Sequence, residues 1–473
     1  MSEMNIVVIG AGPGGYAAAI RASQLGAKVT LAEKDRPGGV CLNRGCIPSK
    51  IMRRTADAAR EAAEAAAFGV SGAASPVEVD MGLLRERQKK IVEAQAQGLA
   101  KHFKALGINL VKGEARVEAP GAVEVIREDG KAEKFSYDHL LIAVGSVPAS
   151  LPGLTIDGRR IISSDQALWM ETKPRRLLVV GGGVIGCELA QIFHDFGSQV
   201  VLVEGLNRLL PLPGLDEEIS KVYMRGLKKI KLPFFTGQTV AEVREGPGGL
   251  TAVIRPFSGE GAAREMEFDQ ILVSIGRRPA VAGLGLEALG LTLDGRGWVE
   301  AGEDFRTKAP NVWAIGDCLG PSRVMLAHVA TAEGLAAAEN MFGGRRRVDY
   351  GQVPSAVFTA PEIGFVGLTL AQAQEKRPGS KAGDFLFRQL GKAQALGETD
   401  GLTRLVAGPD GRILGGHIIG PSATTLIAEA AAAVSCGLTA EDLAATIHAH
   451  PTLSEGLWEA ALSLAGRPLH GAS

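Results

Sequence analysis

Asn5-Ile-Val-Val-Ile-Gly-Ala-Gly-Pro-Gly-Gly15 sets an apolar run directly against a cluster of glycines, and the pattern returns 171 residues later as Leu177-Leu-Val-Val-Gly-Gly-Gly-Val-Ile-Gly186. A short apolar run that stops on Gly-x-Gly reads as a buried strand turning into a helix. In each copy the chain continues through a helix-like stretch into a second apolar run that ends on an acid, Lys28-Val-Thr-Leu-Ala-Glu33 and Gln199-Val-Val-Leu-Val-Glu204. The last glycine precedes the acid by 18 residues in both, Gly15 to Glu33 and Gly186 to Glu204. Gly10 and Gly181 would make the tight turn, Gly12 and Gly183 would let backbone approach a pyrophosphate, and Gly15 and Gly186 would let helix pack closely on strand, with Gly14 beside them. The N–H groups that open the helix then face the phosphates. A lone match is weak, because glycines also mark ordinary turns. Two matches with strand and acid in place point to two dinucleotide sites. A carboxylate at the end of the second strand accepts from a ribose 2′-hydroxyl and repels a 2′-phosphate, so Glu204 favours NAD over NADP. Two such sites in one chain suggest electron traffic between a flavin and a nicotinamide.

At 473 residues the chain has room for about three domains, each with its own core. Lys plus Arg of 51 against Asp plus Glu of 52 leaves a formal charge of -1, so no summed field draws the molecule to nucleic acid or an acidic membrane. Gly at 62 of 473 is nearly twice the usual share of about 7%, with no repeating period, which fits many turns in a globular α/β chain. Five Cys are too few for a disulfide framework, and with no secretory leader in evidence the expected compartment is the cytoplasm, where any disulfide is catalytic. No uncharged apolar run reaches the 18 residues a membrane span needs.

Working outward, the Ala-rich stretch from Arg53 to Phe68 and the stretch from Met81 to Leu106 carry charges at helical spacing and read as two helices packed on the first unit. The turn cluster from Pro148 to Gly153 marks a boundary. Ile271-Leu-Val-Ser-Ile-Gly276 resembles Leu140-Leu-Ile-Ala-Val-Gly145, so each unit closes on a strand ending in glycine, and Gly276 becomes a candidate cofactor contact. After Arg345-Arg-Arg347 the pattern changes to strands at 353–359, 385–390, 402–407 and 413–419 followed by a helix over 424–435. The expected architecture is α/β: two Rossmann-like dinucleotide-binding domains, residues 1–150 and 151–275, a central segment 276–347, and a C-terminal α+β domain, 348–473.

Gly38-Gly-Val-Cys-Leu-Asn-Arg-Gly-Cys-Ile-Pro-Ser-Lys50 sets Cys41 and Cys46 five apart. Two buried small hydrophobes, half a zinc site and a redox-active pair are all compatible with that spacing, although no second Cys or His pair completes a four-ligand metal site. A disulfide across so short a loop is feasible if a helix start turns the two Cβ atoms together, and a helix N-terminus also favours thiolate. His450 and Glu455 make a further physical case. A thiol with a pKa of about 8.5 is mostly protonated at neutral pH, an imidazole near 6.5 can take its proton, and a carboxylate fixes the imidazole's tautomer.

Over nearly its whole length the sequence resembles the dihydrolipoamide dehydrogenases, within the pyridine nucleotide-disulfide oxidoreductases. The resemblance is carried by Gly14-Gly-Tyr-Ala-Ala-Ala-Ile-Arg-Ala22, the Cys41 to Lys50 segment, Gly181 to Ala190, Ser274-Ile-Gly-Arg-Arg-Pro279, Ala314-Ile-Gly-Asp317, Met325-Leu-Ala-His328 and His448-Ala-His-Pro-Thr-Leu-Ser-Glu455. It implies that residues 1–150 bind FAD with Glu33 on the adenosine ribose, that 151–275 bind NAD, that 276–347 complete the FAD site, and that 348–473 form a dimerisation domain. Lys50 would lie beside the flavin and pair with Glu188. Asp317 would hydrogen-bond the ribityl chain, with backbone near Ala327 and Gly113 completing the site. His450 and Glu455 would reach the cysteines of the partner subunit, making a homodimer obligatory. His448 and His328 are given no proton-transfer role. The implied reaction oxidises dihydrolipoamide on a lipoyl-domain protein of a 2-oxoacid dehydrogenase or glycine cleavage complex and reduces NAD⁺.

Three positions depart from the family pattern: Ala280 where Asn is usual, Val144 where Thr is common, and two extra residues between Asp317 and Met325. The first two would loosen hydrogen bonds around the cofactors and the third would shift the flavin loop. Competing readings are a glutathione- or mercuric-reductase-like enzyme and a non-catalytic scaffold subunit. The last cysteine, Cys436, leaves no C-terminal thiol tail, no basic residue directly follows Glu204, and the set Cys41, Cys46, Lys50, His450 and Glu455 speaks against a scaffold.

Overall fold

Asn5–Ile9 is buried at all but its first residue, as expected of a strand covered on both faces, and it lies at the centre of a five-stranded parallel sheet. The structure is a computed structural model that describes residues 4–71 and 77–470. Lys28–Glu33 and then Asn109–Lys112 flank the central strand on one side, His139–Ile142 and then Val312–Ala314 on the other. The second glycine unit repeats this order. Arg176–Val180 is central, with Gln199–Glu204 and Phe234–Thr236 on one side and Gln270–Val273 and Ile161–Ile162 on the other, again all parallel.

Both units also insert an antiparallel three-stranded meander before the closing strand, one over residues 114–136 and one over 238–268. The units differ in where the fifth strand comes from. In the second it is borrowed from just upstream, at Ile161–Ile162; in the first it arrives from far downstream, at Val312–Ala314. The central segment 276–347 is built onto the first unit. It has no main sheet of its own, and Arg277–Pro279 pairs with Ser146–Pro148 while Val312–Ala314 extends the first sheet. Its helix Ala327–Met341 packs along Pro13–Gln24 so closely that a Cβ on Gly334 would sit 2.3 Å from the Gly14 carbonyl oxygen. Arg21 and Glu339 clip the two helices together at 3.0 Å.

The C-terminal domain is an antiparallel five-stranded sheet in the order Ser355–Val357, Glu362–Gly367, Ile413–Gly420, Leu402–Ala407 and Lys381–Leu386, with helices Ala423–Cys436 and Glu455–Leu464 packed on it. The Ala-rich stretch read as a helix from Arg53 begins earlier, at Cys46, and runs to Glu64 before a tight turn over Ala65–Phe68. That helix is amphipathic, and its apolar side enters a shared core. Ile51, Met52 and Ala56 meet Leu189, Ile192 and Phe193 of the second unit and Val357, Phe365 and Ile419 of the C-terminal domain. Among the described residues no helix is long and apolar enough to cross a membrane.

Candidate active site

The two glycine turns are superimposable in their chemistry. Gly10 and Gly181 adopt φ of 101° and 108°, a left-handed region that a side chain resists, and each N–H donates at 2.8 Å to the adjacent second strand. A Cβ on Gly15 would lie 1.8 Å from the Gly10 carbonyl oxygen, and one on Gly186 would lie 1.8 Å from that of Gly181. Glu33 accepts from the N–H groups of Ala11 at 2.7 Å and Asp35 at 2.8 Å; Glu204 accepts from Gly182 at 2.6 Å and Leu206 at 2.8 Å. Each carboxylate is thereby fixed across its glycine turn, one backbone donor to each oxygen, with a second lone pair on each oxygen left for a ribose. Burial pushes the Glu33 carboxyl above its usual range, against the pull of the Ala11 and Asp35 N–H groups. Gly183 caps the helix Val184–Asp195, as Gly12 caps Pro13–Gln24. Arg208, four residues beyond Glu204, donates to the carbonyls of Leu212 and Leu215.

A cavity of about 80 Å³ opens beside Gly10 and Glu33, walled by Gly113, Val144, Ala280 and Leu284. It continues from the glycine turn to the ribose carboxylate, so the residues present fit the adenosine end of FAD. Two of the three departures from the family pattern, Val144 and Ala280, meet on this one wall. The third, the longer stretch after Asp317, is held at two points. Trp298 packs against Gly320, where a Cβ would lie 2.5 Å from the indole Cγ, and Arg323 donates to the carbonyls of Ala301 and Gly302.

Cys41 lies in the short helix Gly39–Arg44 and Cys46 opens the helix Cys46–Glu64. Gly45 makes the corner between them, where an added Cβ would press on the Val40 carbonyl oxygen at 3.1 Å and the Cys41 Cα at 3.4 Å. A hydrogen bond between the Cys41 and Cys46 thiols shapes the titration of both. That bond, reinforced by Lys50 and opposed by burial, brings Cys46 down to about 7. Cys41 is held protonated by the same bond together with burial. Lys50 sits one turn along from Cys46, 2.9 Å from the buried Glu188 and 4.0 Å from the centroid of the Phe358 ring. The second Glu188 oxygen accepts the Phe358 N–H at 2.9 Å. The structure thus brings Cys41, Cys46, Lys50 and Glu188 into one cluster.

Asp317 accepts the Ser146 hydroxyl at 2.6 Å, and Arg277 donates to the same hydroxyl oxygen at 2.6 Å and to the Ser146 carbonyl at 2.7 Å. Behind this loop the buried Glu333 takes the Gly316 N–H at 2.6 Å and the Tyr350 hydroxyl at 2.6 Å. Ser146, Arg277, Glu333, Tyr350 and Phe358 were not singled out in the sequence. Ser146 and Arg277 could have been, because each directly follows the glycine that ends a closing strand. Gly276 turns at φ 125° and its carbonyl accepts the Ala149 N–H, while Ala327 begins a helix whose first N–H groups are free.

His450 and Glu455 form a second cluster. Glu455 accepts from His450 Nδ1 at 2.8 Å and from the Thr452 N–H at 2.8 Å. Although burial opposes it, these two donors hold the Glu455 carboxyl below its usual range. The imidazole has 77% of its side chain exposed. His448 is spent differently, packed between Glu429 at 2.8 Å and the Thr446 carbonyl at 3.0 Å. Among the described residues no group of three or more His, Cys, Asp or Glu is placed to hold a metal ion.

Comparison with known proteins places this geometry. The sequence family described as pyridine nucleotide-disulphide oxidoreductase matches residues 4–334, and the dimerisation domain of the same family matches residues 353–461. The chain belongs to the pyridine nucleotide-disulphide oxidoreductases. Relatives in that family include the mitochondrial dihydrolipoyl dehydrogenase of Dictyostelium discoideum, 39% identical with 99% of this chain and 96% of the relative covered. The dihydrolipoyl dehydrogenase of Haloferax volcanii is 41% identical, covering 98% and 97%. The crystal structure of LpdA from Mycobacterium tuberculosis superimposes with a TM-score of 0.89 at 27% identity, covering 98% of this chain and 99% of that one.

Proposed function

We infer that this oxidoreductase is a dihydrolipoyl dehydrogenase that uses FAD and NAD and works as a homodimer through its dimerisation domain. The observation that carries the reading is the thiol pair at the start of Cys46–Glu64, with Cys46 drawn toward thiolate beside the half-exposed Lys50 and its buried partner Glu188, in a chain that matches dihydrolipoyl dehydrogenases from end to end. FAD, when bound, supplies the two-electron relay between the reduced thiol pair and NAD⁺.

The residues divide the remaining work. The partner subunit's His450, oriented through Nδ1 by Glu455, accepts a substrate thiol proton on Nε2. The resulting thiolate attacks Cys41 of the oxidised pair, and Cys46 departs as thiolate; a leaving thiol of low pKa departs faster. The second substrate thiol then displaces Cys41, which releases the oxidised disulfide product and leaves the pair reduced. Lys50 and the N–H groups opening Cys46–Glu64 stabilise the charge on Cys46. Glu33 holds the flavin's adenosine ribose. Asp317, fixed by Ser146 and Arg277, receives the ribityl hydroxyls, with Gly113 and Ala327 lining the rest of the FAD site. Gly181, Gly183, Gly186, Gly276 and Glu204 hold NAD, Glu204 excluding a 2′-phosphate.

The natural dithiol donor is a lipoyl group on a carrier protein, a reading supported by the name its relatives share, and a reducing compartment such as the cytoplasm suits the exposed free thiol of Cys436. The test is an assay of the purified flavoprotein with dihydrolipoamide and NAD⁺ or NADP⁺, and with glutathione disulfide or mercuric ion and NADH or NADPH. Turnover confined to dihydrolipoamide with NAD is the expected result. Lipoamide-linked NAD reduction that survives Cys46→Ala would overturn the thiol relay.

A further inference from the structure

The strand Gln199–Glu204 leaves the second sheet at Gly205, and the residue that covers Gly205 comes from a distant turn. Phe257 sits just after the meander strand Gly249–Pro256, and a Cβ on Gly205 would lie 3.3 Å from the Phe257 Cδ2 and 3.5 Å from its Cε2. Three backbone segments converge there. Gly237 N–H donates to the Leu206 carbonyl at 2.8 Å, and Phe257 N–H donates to the Gly237 carbonyl at 2.8 Å. The ring is thus held by its own main chain against the exit of the strand whose last residue is the ribose carboxylate. It is nevertheless 64% exposed, and the neighbouring Leu206 is 53% exposed. Two large apolar side chains standing in water at one turn are costly by about 25 cal/mol for every Å² they leave uncovered, and the cost is offset when a flat apolar partner covers them.

We propose that Phe257, with Leu206, forms the adenine platform of the nicotinamide dinucleotide site. The inference rests on the reading of Gly181, Gly183, Gly186 and Glu204 as the NAD cradle and adds the base to it. A dinucleotide whose pyrophosphate meets the helix Val184–Asp195 and whose ribose meets Glu204 sends its adenine past Glu204 to Gly205 and Leu206, where the Phe257 ring waits. An aromatic face stacks on a purine whatever its edge groups, so the platform secures the adenylate half without reading it by hydrogen bonds. The glycine at 205 is part of the device, since a side chain there would displace the ring.

The test uses the FAD-loaded dimer, fully reduced beforehand with dithionite under argon so that neither reduced nucleotide can pass on its hydride, and measures dissociation constants by calorimetry for ADP-ribose and NADH, and for nicotinamide mononucleotide in its reduced form, which lacks the adenylate. Phe257→Ala should weaken ADP-ribose and NADH by about 5- to 30-fold and leave the mononucleotide unchanged, and Phe257→Trp should hold ADP-ribose within about twofold of the parent. Unchanged ADP-ribose binding in Phe257→Ala would overturn the proposal, as would equal weakening of the mononucleotide, which is the mark of a merely structural ring. A parent dimer that binds neither ADP-ribose nor NADH would strike the cradle itself and the proposal with it, a result separate from any failure of thiol turnover.

Discussion

Lys50 lies among groups that each respond to its charge: the Cys46 thiol, the Glu188 carboxylate at 2.9 Å and the Phe358 ring. Lys50→Met removes one of the attractions that hold Cys46 low, so its titration midpoint should rise by roughly one unit, read from the pH dependence of iodoacetamide alkylation of the reduced protein. The same change strands Glu188 in its buried site with only the Phe358 N–H for company, at a cost of about 1–3 kcal/mol. Adding Glu188→Gln keeps an acceptor for that N–H and discharges the site. The double variant should therefore melt at a higher temperature than Lys50→Met alone, and its Cys46 midpoint should fall part of the way back, because the Glu188 charge itself pushes that thiol up; if the two variants melt together, the buried charge is not what the lysine satisfies. The pairing of Lys50 with Glu188 came from resemblance, and the helical spacing of Cys46 and Lys50 was legible in the sequence. Nothing local marked Phe358, which lies 170 residues from the carboxylate that holds its N–H.

The strand–turn–helix elements were readable because every requirement is local: a Cβ at Gly15 or Gly186 collides with a carbonyl five residues back, so glycine is demanded by the chain's own path. What escaped the sequence was whatever the fold borrows. Val312–Ala314 joins a sheet whose other members end at Ile142, and the Ser146–Asp317 and Ser146–Arg277 bonds span 171 and 131 residues. A three-residue strand in a Gly-rich segment has too short a pattern to announce its partner. Having two equivalent glycine elements allows them to be separated by experiment. Gly186→Ala drives a Cβ toward the Gly181 carbonyl and the Ser274 Oγ, so it should open the helix–strand contact of the second unit alone. The expected protein retains bound flavin, seen in its visible absorbance, but binds NADH at least about tenfold more weakly. Gly15→Ala should show the converse, loss of flavin on purification. If Gly186→Ala also sheds flavin, the two units are not independent elements.

Across the whole molecule, two joints decide whether the sites work together. The first fastens the second unit to the C-terminal domain. Asp216 accepts from Arg404 at 2.8 Å and from the N–H groups of Glu218 and Leu370, while the fully buried His417 lies between the Leu368 carbonyl at 3.0 Å and the Asp216 N–H. Burial lowers the His417 pKa, and backbone donors with Arg404 lower that of Asp216 despite burial. Both groups bind protons more readily unfolded than folded, so the stability they lend is present above their unfolded values, about 6.5 and 3.9, and drains away as pH falls through their lower folded values. His417→Gln, which keeps a donor for Leu368 but does not titrate, should flatten the fall in melting temperature below about pH 6.5; an unaltered pH profile would acquit this joint. The second joint is the dimer. His450 has 77% of its side chain exposed, and its carboxylate partner Glu455 is anchored to the same chain at Thr452. If each thiol pair is served by the other subunit, two inactive variants can repair one another. In a dimer of one Cys46→Ala and one His450→Ala chain, one site carries both defects and the other carries neither. Co-refolding equal amounts gives about half mixed dimers with one working site of two, so activity should return to about a quarter of the parent value, with either variant alone near zero. A histidine acting within its own chain predicts no recovery at any mixing ratio, because every chain then keeps its own lesion.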